Sequence, residues 1–426
     1  MISNVVIPEL GATGGDVELL EWLVEEGQFV RAGTPILTVS TDKATVEIEA
    51  FRDGYLNRIL APAGSQVELG AVVATIADEL DDAPPTEPRA QMAFGTDASD
   101  RIPGPYSEPV DIYRRMVLIR RFEDYLYRLF LQGLVPGTLH QCQGQEATAV
   151  GVCSVLRQDD VVFSTHRPVG HALAKGASLR GITAEIWGKA TGCAGGKGGQ
   201  MHLSDIAVGF MPSNAIVGAN APIATGAAIG FKLRGIDSVA VSFFGDGASN
   251  IGALHEAVNL AAVKKAPVIF VCENNLYAAS TSIALTSLVS DLAERANGYG
   301  VPGFTVDGMD VEAVADAAES AVTRAREGGG PTFIECKTYR YCGHSRGDPM
   351  GYRTEDELRV WRERDPISRY RRRMIEDFGI TEADADRIDE ECQLQVESAV
   401  EYAMSSPDPE PDTVFSNVYA PREVRQ

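Results

Sequence analysis

The sequence is short of the features that mark a membrane, a disulfide-bonded or a nucleic-acid-binding protein. Its longest apolar runs are strand length, well under the ~20 residues a membrane-spanning helix needs. The seven cysteines (Cys142, Cys153, Cys193, Cys272, Cys336, Cys342, Cys392) form no CxxC pair. That excludes the usual zinc spacings and a secreted disulfide framework, and leaves them as small buried side chains. Positive charge is scarce: 38 Lys and Arg against 60 Asp and Glu give a formal charge of -22. Such a balance argues against a nucleic-acid surface and for repulsion from anionic membranes. The opening MISNVVIPEL has no basic stretch leading into a long apolar core, so the cytoplasm is the expected compartment. A 44% apolar fraction over 426 residues suffices for a small and a large globular domain.

What is present is concentrated in the stretch Gly245–Asn275, GDGASNIGALHEAVNLAAVKKAPVIFVCENN. A strand-length apolar run, Val239 to Phe244, precedes it. Ile251 to Val263 carries apolar residues at helical spacing, and Val268 to Cys272 is a second short apolar run. The pattern predicts a parallel strand, helix, strand crossover. Ligands on such sheets sit at the carboxyl ends of the strands, where both Gly245-Asp246-Gly247 and Asn274-Asn275 fall. Asp246 offers a carboxylate oxygen and Asn275 an amide oxygen, a donor set suited to a magnesium ion that completes its shell with phosphate oxygens and water. Gly247 permits close backbone approach to an anion, and a following helix N-terminus favours negative charge. GDG alone is weak evidence. Followed across residues 248–273 by NN at the end of the next strand, it resembles the thiamine diphosphate motif.

From about Asp111 onward the chain resembles the alpha subunit of the thiamine-dependent dehydrogenase component of 2-oxo acid and acetoin dehydrogenase complexes. The resemblance implies an α/β thiamine-diphosphate-binding fold, a mostly parallel sheet flanked by helices, over residues 106–426. It also implies contacts from Gly245, Asp246, Gly247 and Ala248, and a metal held by Asp246, Asn275 and the Tyr277 carbonyl. Val161 to Thr165 reads as a strand ending in His166-Arg167, which occupy the family's cofactor-contacting pair; arginine suits a diphosphate. Ile216-Val217-Gly218 and Pro222 resemble the stretch that packs under the cofactor rings, with Val217 among its contacts. His344, in the glycine- and aromatic-rich loop Thr338 to Pro349, matches the family's loop histidine, and Ser345 a position phosphorylated in some eukaryotic relatives. Val169 stands where several members carry histidine, while His171 follows two residues later; Cys342 replaces another frequent histidine. His344, His171 and His202 are the candidate catalytic histidines. The glycine-rich Gly195 to Gln200 segment is not a nucleotide phosphate loop, because glycine and not Ser or Thr follows Lys197. Glu146, in Gly144-Gln145-Glu146-Ala147, is well placed to cap a helix start.

Residues 1–79 contain a quasi-repeat: Gly27, Val30, Gly33, Ile36, Val39 recurs as Gly64, Val67, Gly70, Val73, Ile76. It predicts a small all-β flattened sandwich of two similar halves. Lys43 lies between strand-like runs at Ile36 to Val39 and Val46 to Ile48, at an expected hairpin tip. Thr41-Asp42-Lys43-Ala44 resembles a lipoyl attachment sequence, with Asp42 and Ala44 where biotin carriers have methionines. Covalent lipoate on Lys43 is the implied modification. Residues 80–105, rich in Pro and Asp, read as an extended or disordered linker. About 25 such residues reach roughly 80 Å stretched and about 30 Å as coil.

In the family a glutamate of a beta subunit drives deprotonation of the thiazolium carbon. Too few residues remain here for a second cofactor-binding domain, so a self-contained carboligase is not expected. The chain is expected to be half of an active site in an α2β2 assembly. Its expected partners are a lipoyl acyltransferase, a dihydrolipoamide dehydrogenase and a small oxo-compound substrate. The expected reaction is decarboxylation of a 2-oxo acid such as pyruvate with reductive acylation of lipoate. Acetoin cleavage is the alternative, and a non-catalytic lipoyl carrier a second one.

Overall fold

The computed structural model describes residues 2–7, 17–40, 45–67, 71–78, 100–102 and 104–416. Two units separate, residues 1–91 and 92–426. In the first, the glycine-punctuated repeats fold as strands β1 (Ile2–Val6), β2 (Val17–Trp22), β3 (Phe29–Val30), β4 (Pro35–Ser40), β5 (Thr45–Glu49), β6 (Gly54–Ile59), β7 (Gln66–Val67) and β8 (Val72–Ala77). They form two four-stranded antiparallel sheets, ordered β1-β8-β6-β3 and β5-β4-β2-β7. Each half of the repeat keeps two longer strands in one sheet and lends its short one to the other sheet, β3 to β6 and β7 to β2. The equivalent Gly27 and Gly64 both adopt left-handed backbone, φ 86 and 88°, which a side chain would strain. Alternation turns Val17, Leu19, Ile36, Val39, Leu56, Val73 and Ile76 into one shared core.

Strands β4 and β5 pair as far as Ser40 opposite Thr45. Lys43, between them in sequence, lies outside the described residues, as does residue 103 and the 80–99 part of the Pro/Asp-rich segment.

The second unit opens with helices α1 (Pro109–Leu131) and α2 (Glu146–Ser154), then β9 (Val161–Phe163), α3 (Pro168–Lys175), α4 (Leu179–Ile186) and α5 (Asn220–Arg234). Strand β10 (Ala240–Gly245), α6 (Gly252–Lys264) and β11 (Val268–Asn274) form the expected crossover. A small hairpin follows, β12 (Tyr277–Ala278) and β13 (Thr281–Ser282), then β14 (Gly303–Asp307), α7 (Val311–Arg326) and β15 (Thr332–Lys337). Helices α8 (Glu355–Arg362), α9 (Pro366–Asp377) and α10 (Glu382–Ser405) complete it.

The five-stranded sheet runs β14-β15-β11-β10-β9 and every pairing is parallel. Its strands read as continuous apolar runs because both faces are covered. Val241, Phe243, Ile269, Val271 and Ile334 share a core with α1, α2, α7 and α10. The alternate residues Ala240, Phe244, Phe270, Cys272 and Phe333 pack against the alanines of α5 and α6. One expectation changes: no helix N-terminus directly follows Gly245. A 3-10 turn, Asp246–Asn250, comes first, and α6 starts only at Gly252. That turn lies against β12, where a Cβ on Gly247 would meet the Ala278 Cβ at 2.6 Å.

Phe270, fully buried in β11, measures how far the site depends on this core. Phe270→Ala is expected to cost about 3–5 kcal/mol, read as a lower denaturation midpoint by circular dichroism; an unchanged midpoint contradicts the two-sided packing.

Candidate active site

Because the strands are parallel, all their carboxyl ends meet at one rim, and the chain's polar clusters meet with them. A cavity of about 330 Å³ opens there. Strand β9 leads into Thr165, His166 and Arg167, β10 ends in Gly245 and Asp246, and β11 leads through Glu273 to Asn275; each lines the cavity. Arg340 and His344 enter from the loop after β15, and Asn214 to Gly218 with Asn220 form a wall. Of the residues expected from the sequence, His166, Arg167, Val217, Gly245, Asp246, Gly247, Ala248, Asn275, Tyr277 and His344 line this cavity.

Two buried guanidinium groups set its electrostatics. Arg167 donates to the carbonyls of Gln141 and His344, both at 2.7 Å, and lies 3.1 Å from Nδ1 of His344. Arg340 donates to the carbonyls of Cys342 and Ala279, both at 3.0 Å, and to the Tyr352 hydroxyl at 2.8 Å. Among the described residues no carboxylate lies within 4 Å of either; Asp348 is one hydroxyl away, bound by Tyr352 at 2.6 Å. Burial and the neighbouring Arg340 charge lower the Arg167 pKa to about 10. Buried cations without a counter-charge are costly, and an anion placed between them offsets that cost. Three imidazoles, His140, His166 and His344, cluster around them with ring centres 5.1 to 5.3 Å apart, His140 edge to face with the other two and those two tilted by 52°. Burial first and the Arg167 charge second hold His140 and His344 down at about 4 and His166 at about 2. All three are neutral at pH 7.

The metal cradle is equally open. Asp246 is 3% exposed and its Oδ2 has no hydrogen-bond partner; burial pushes its carboxyl up to about 6. The Asn275 amide donates to Gln145 Oε1 at 2.7 Å, which orients its oxygen. No cluster of three His, Cys, Asp or Glu that could cage a metal occurs among the described residues. One orphaned carboxylate oxygen beside an oriented amide fits a magnesium ion carrying phosphate oxygens and water. Further unsatisfied atoms on the residues around the site are His166 Nε2, His140 Nδ1 and Asn220 Oδ1.

Two candidate histidines stand apart. His202 is exposed, its Nδ1 3.3 Å from the Ser213 carbonyl, and His171 is buried behind the cavity against Phe243. Neither lines it. Val169 is a core residue, 1% exposed. In the glycine-rich segment the buried Glu185 accepts from the main-chain N–H groups of Ala194, Gly196, Gly198 and Gly199. Those donors are occupied from within, a physical reason why the segment holds no phosphate. Sequence reasoning missed Arg340, His140, Asn214 and Asn220. Arg340 lies in the loop already singled out; the other three carry no periodicity or spacing signal.

Comparison with known proteins follows the same division. The family described as "Dehydrogenase E1 component" matches residues 114–412, and the one described as "Biotin-requiring enzyme" matches residues 3–76. The acetoin:2,6-dichlorophenolindophenol oxidoreductase alpha subunit of Bacillus subtilis is 44% identical over 316 residues, 73% of this chain and 93% of that protein. Its counterpart in Cupriavidus necator is 44% identical over 309 residues, covering 72% and 93%. The pyruvate dehydrogenase E1 component alpha subunit of Rhizobium meliloti is 41% identical over 307 residues, covering 72% and 88%.

The histidine cluster has a pH signature. Its folded pKa values lie below the ordinary 6.5, so below that pH the unfolded chain binds more protons. Stability is therefore lost as pH falls from about 6.5 toward about 4. In thermal melts of the cofactor-free protein, His166→Gln is expected to make the loss over this window shallower; an identical slope contradicts the buried neutral imidazole.

Proposed function

The chain belongs to the dehydrogenase E1 component family, as an alpha subunit of the pyruvate and acetoin dehydrogenase type with an N-terminal biotin/lipoyl domain, and from that premise we propose how its site works. It binds thiamine diphosphate and magnesium, decarboxylates a 2-oxo acid such as pyruvate, and passes the acyl group to lipoate. The observation that carries this reading is the pairing, in one cavity, of two buried guanidinium groups bonded only to neutral partners with an orphaned Asp246 oxygen. In it, Arg167 and the loop at Gly245 to Ala248 hold the diphosphate. Asp246, Asn275 and the Tyr277 carbonyl hold the metal. When bound, the cofactor supplies a carbanion that adds to a carbonyl and a ring that accepts the electron pair.

The remaining work falls to the chain itself. Neutral His344, 3.1 Å from Arg167, and neutral His166 line the cavity and would offer it hydrogen-bonding nitrogens without adding positive charge. The closely packed core beneath the rim keeps water from the cavity floor. On the rim Ile216 and Val217 are 71% and 53% exposed, an apolar edge suited to closure by a beta subunit that brings the glutamate base, most simply as α2β2. Acyltransferase and dihydrolipoamide dehydrogenase components complete the cycle.

Residues 1–79 form the lipoyl domain, 80–105 the linker and 106–426 the catalytic unit in this proposal. Lipoate on Lys43 supplies the acyl acceptor in cis at a high effective concentration set by the linker. The cytoplasm is the assigned compartment, and no helix among the described residues is long and apolar enough to cross a membrane. A second reading, acetoin cleavage, is favoured by the 44% identity to the Bacillus subtilis protein against 41% to the Rhizobium meliloti one. His171 and His202 lie outside the cavity.

The test is turnover by the chain purified with its beta partner, thiamine diphosphate and magnesium. Pyruvate, branched 2-oxo acids and acetoin are each offered with an artificial electron acceptor. Preference for a 2-oxo acid supports the first reading, preference for acetoin the second, and no turnover on any with cofactor bound overturns both. Asp246→Ala is expected to lower kcat/KM at least about 100-fold. Lys43→Arg is expected to keep dye-coupled turnover while intact-mass spectra lose the lipoyl and acyl-lipoyl forms; an unchanged spectrum removes Lys43 from the scheme.

A further inference from the structure

His171 lies outside the cavity yet joins the ends of three neighbouring strands. It is 1% exposed. Its Nδ1 is 2.8 Å from the Ser164 hydroxyl, just past β9. The ring stacks on Phe243 of β10, centres 3.8 Å apart and planes inclined by 22°. Its Nε2 is 3.3 Å from a carboxylate oxygen of Glu273 on β11, and among the described residues no other side chain binds that carboxylate. A carboxylate only accepts, so Nε2 carries hydrogen, and the Ser164 hydroxyl then donates to Nδ1.

Serine, histidine and glutamate are the residue types of a hydrolytic triad, but this relay cannot be one. Ser164 is 0% and Glu273 4% exposed, so no substrate carbonyl reaches the hydroxyl. Both ends of the relay lead instead to the cavity. Glu273 lines it, stands two residues before Asn275 and is the register partner of Gly245. At the other end the Ser164 carbonyl accepts from the main-chain N–H of Asn214 at 3.1 Å and from the side-chain amide of Asn220. Both asparagines line the opposite wall.

We propose that His171 is a positioning residue: through Glu273 it fixes the metal-side floor of the cavity, and through Ser164 the wall of Asn214 and Asn220. The inference rests on the thiamine diphosphate reading. The relay explains how a histidine can serve the site without touching it. It also gives the buried Glu273 carboxylate at the cavity a polar partner: the imidazole Nε2 lies 3.3 Å away, and the ring is held in turn by Ser164.

The experiment is calorimetric titration of the cofactor-free complex of this chain and its beta partner with thiamine diphosphate in excess magnesium chloride. His171→Phe keeps an aromatic ring against Phe243 but makes neither polar contact, and is expected to raise Kd about tenfold or more. His171→Gln, which restores a donor toward Glu273, is expected to recover part of the affinity. Ser164→Ala tests the other bond with almost no change of volume should His171→Phe fail to fold. In a double-mutant cycle, His171→Phe with Glu273→Gln is expected to be no weaker than either alone, because the two act as one unit. Wild-type affinity in both His171→Phe and Ser164→Ala reduces the imidazole to core filling and overturns the inference. So do multiplying effects in the cycle. A wild-type complex that binds no thiamine diphosphate overturns the underlying reading, a result distinct from either.

Discussion

Parallel pairing of β10 with β11 is the constraint on which the rest of the large unit depends. It places Gly245 opposite Glu273, so the two polar strand ends lie side by side at the same rim. A parallel sheet needs both faces covered, and that requirement explains the two helical layers and the unbroken apolar strands. It also explains why the polar residues are confined to the strand ends. The rim is the one place where strands, held rigid by buried packing, can release side chains that the core would not tolerate.

At that rim the protein accepts an electrostatic imbalance. Arg167 and Arg340 are buried among carbonyls, hydroxyls and neutral imidazoles. Nearby, Asp246 keeps an unpartnered oxygen. Each alone is unfavourable, and together they match a dianionic diphosphate with its metal. Elsewhere in the same unit some buried charges are paired or wrapped. Arg120 pairs with Glu146 and Asp365, and Glu185 is wrapped by main-chain donors.

The N-terminal unit follows a different logic. It is small, and its stability comes from two halves that exchange short strands across a single core. That arrangement commits the inner face of each sheet to the one core and leaves alternate residues of β2 and β5 exposed.

Much of this was legible in the chain itself. Continuous apolar runs of strand length and a helical spacing located the strands and helix around Gly245 to Asn275, because an element's own apolar pattern reports the surface it packs on. The glycine quasi-repeat reported the two-sheet unit for the same reason. Asp246, Asn275, His166 and Arg167 stood out because they close strands, and a strand end has one address in a parallel sheet. Other features needed the tertiary fold. Arg340 and His140 join the site from loops whose spacing carries no period. His171, close in sequence to Arg167, turns away from the cavity because α3 points it at Phe243 and Glu273. The glycine-rich loop is filled by Glu185, from α4 just before it, which folds the loop back over its own helix. Local pattern dictates which residues form an element and which face is buried; which distant side chains meet is decided only when those faces are packed.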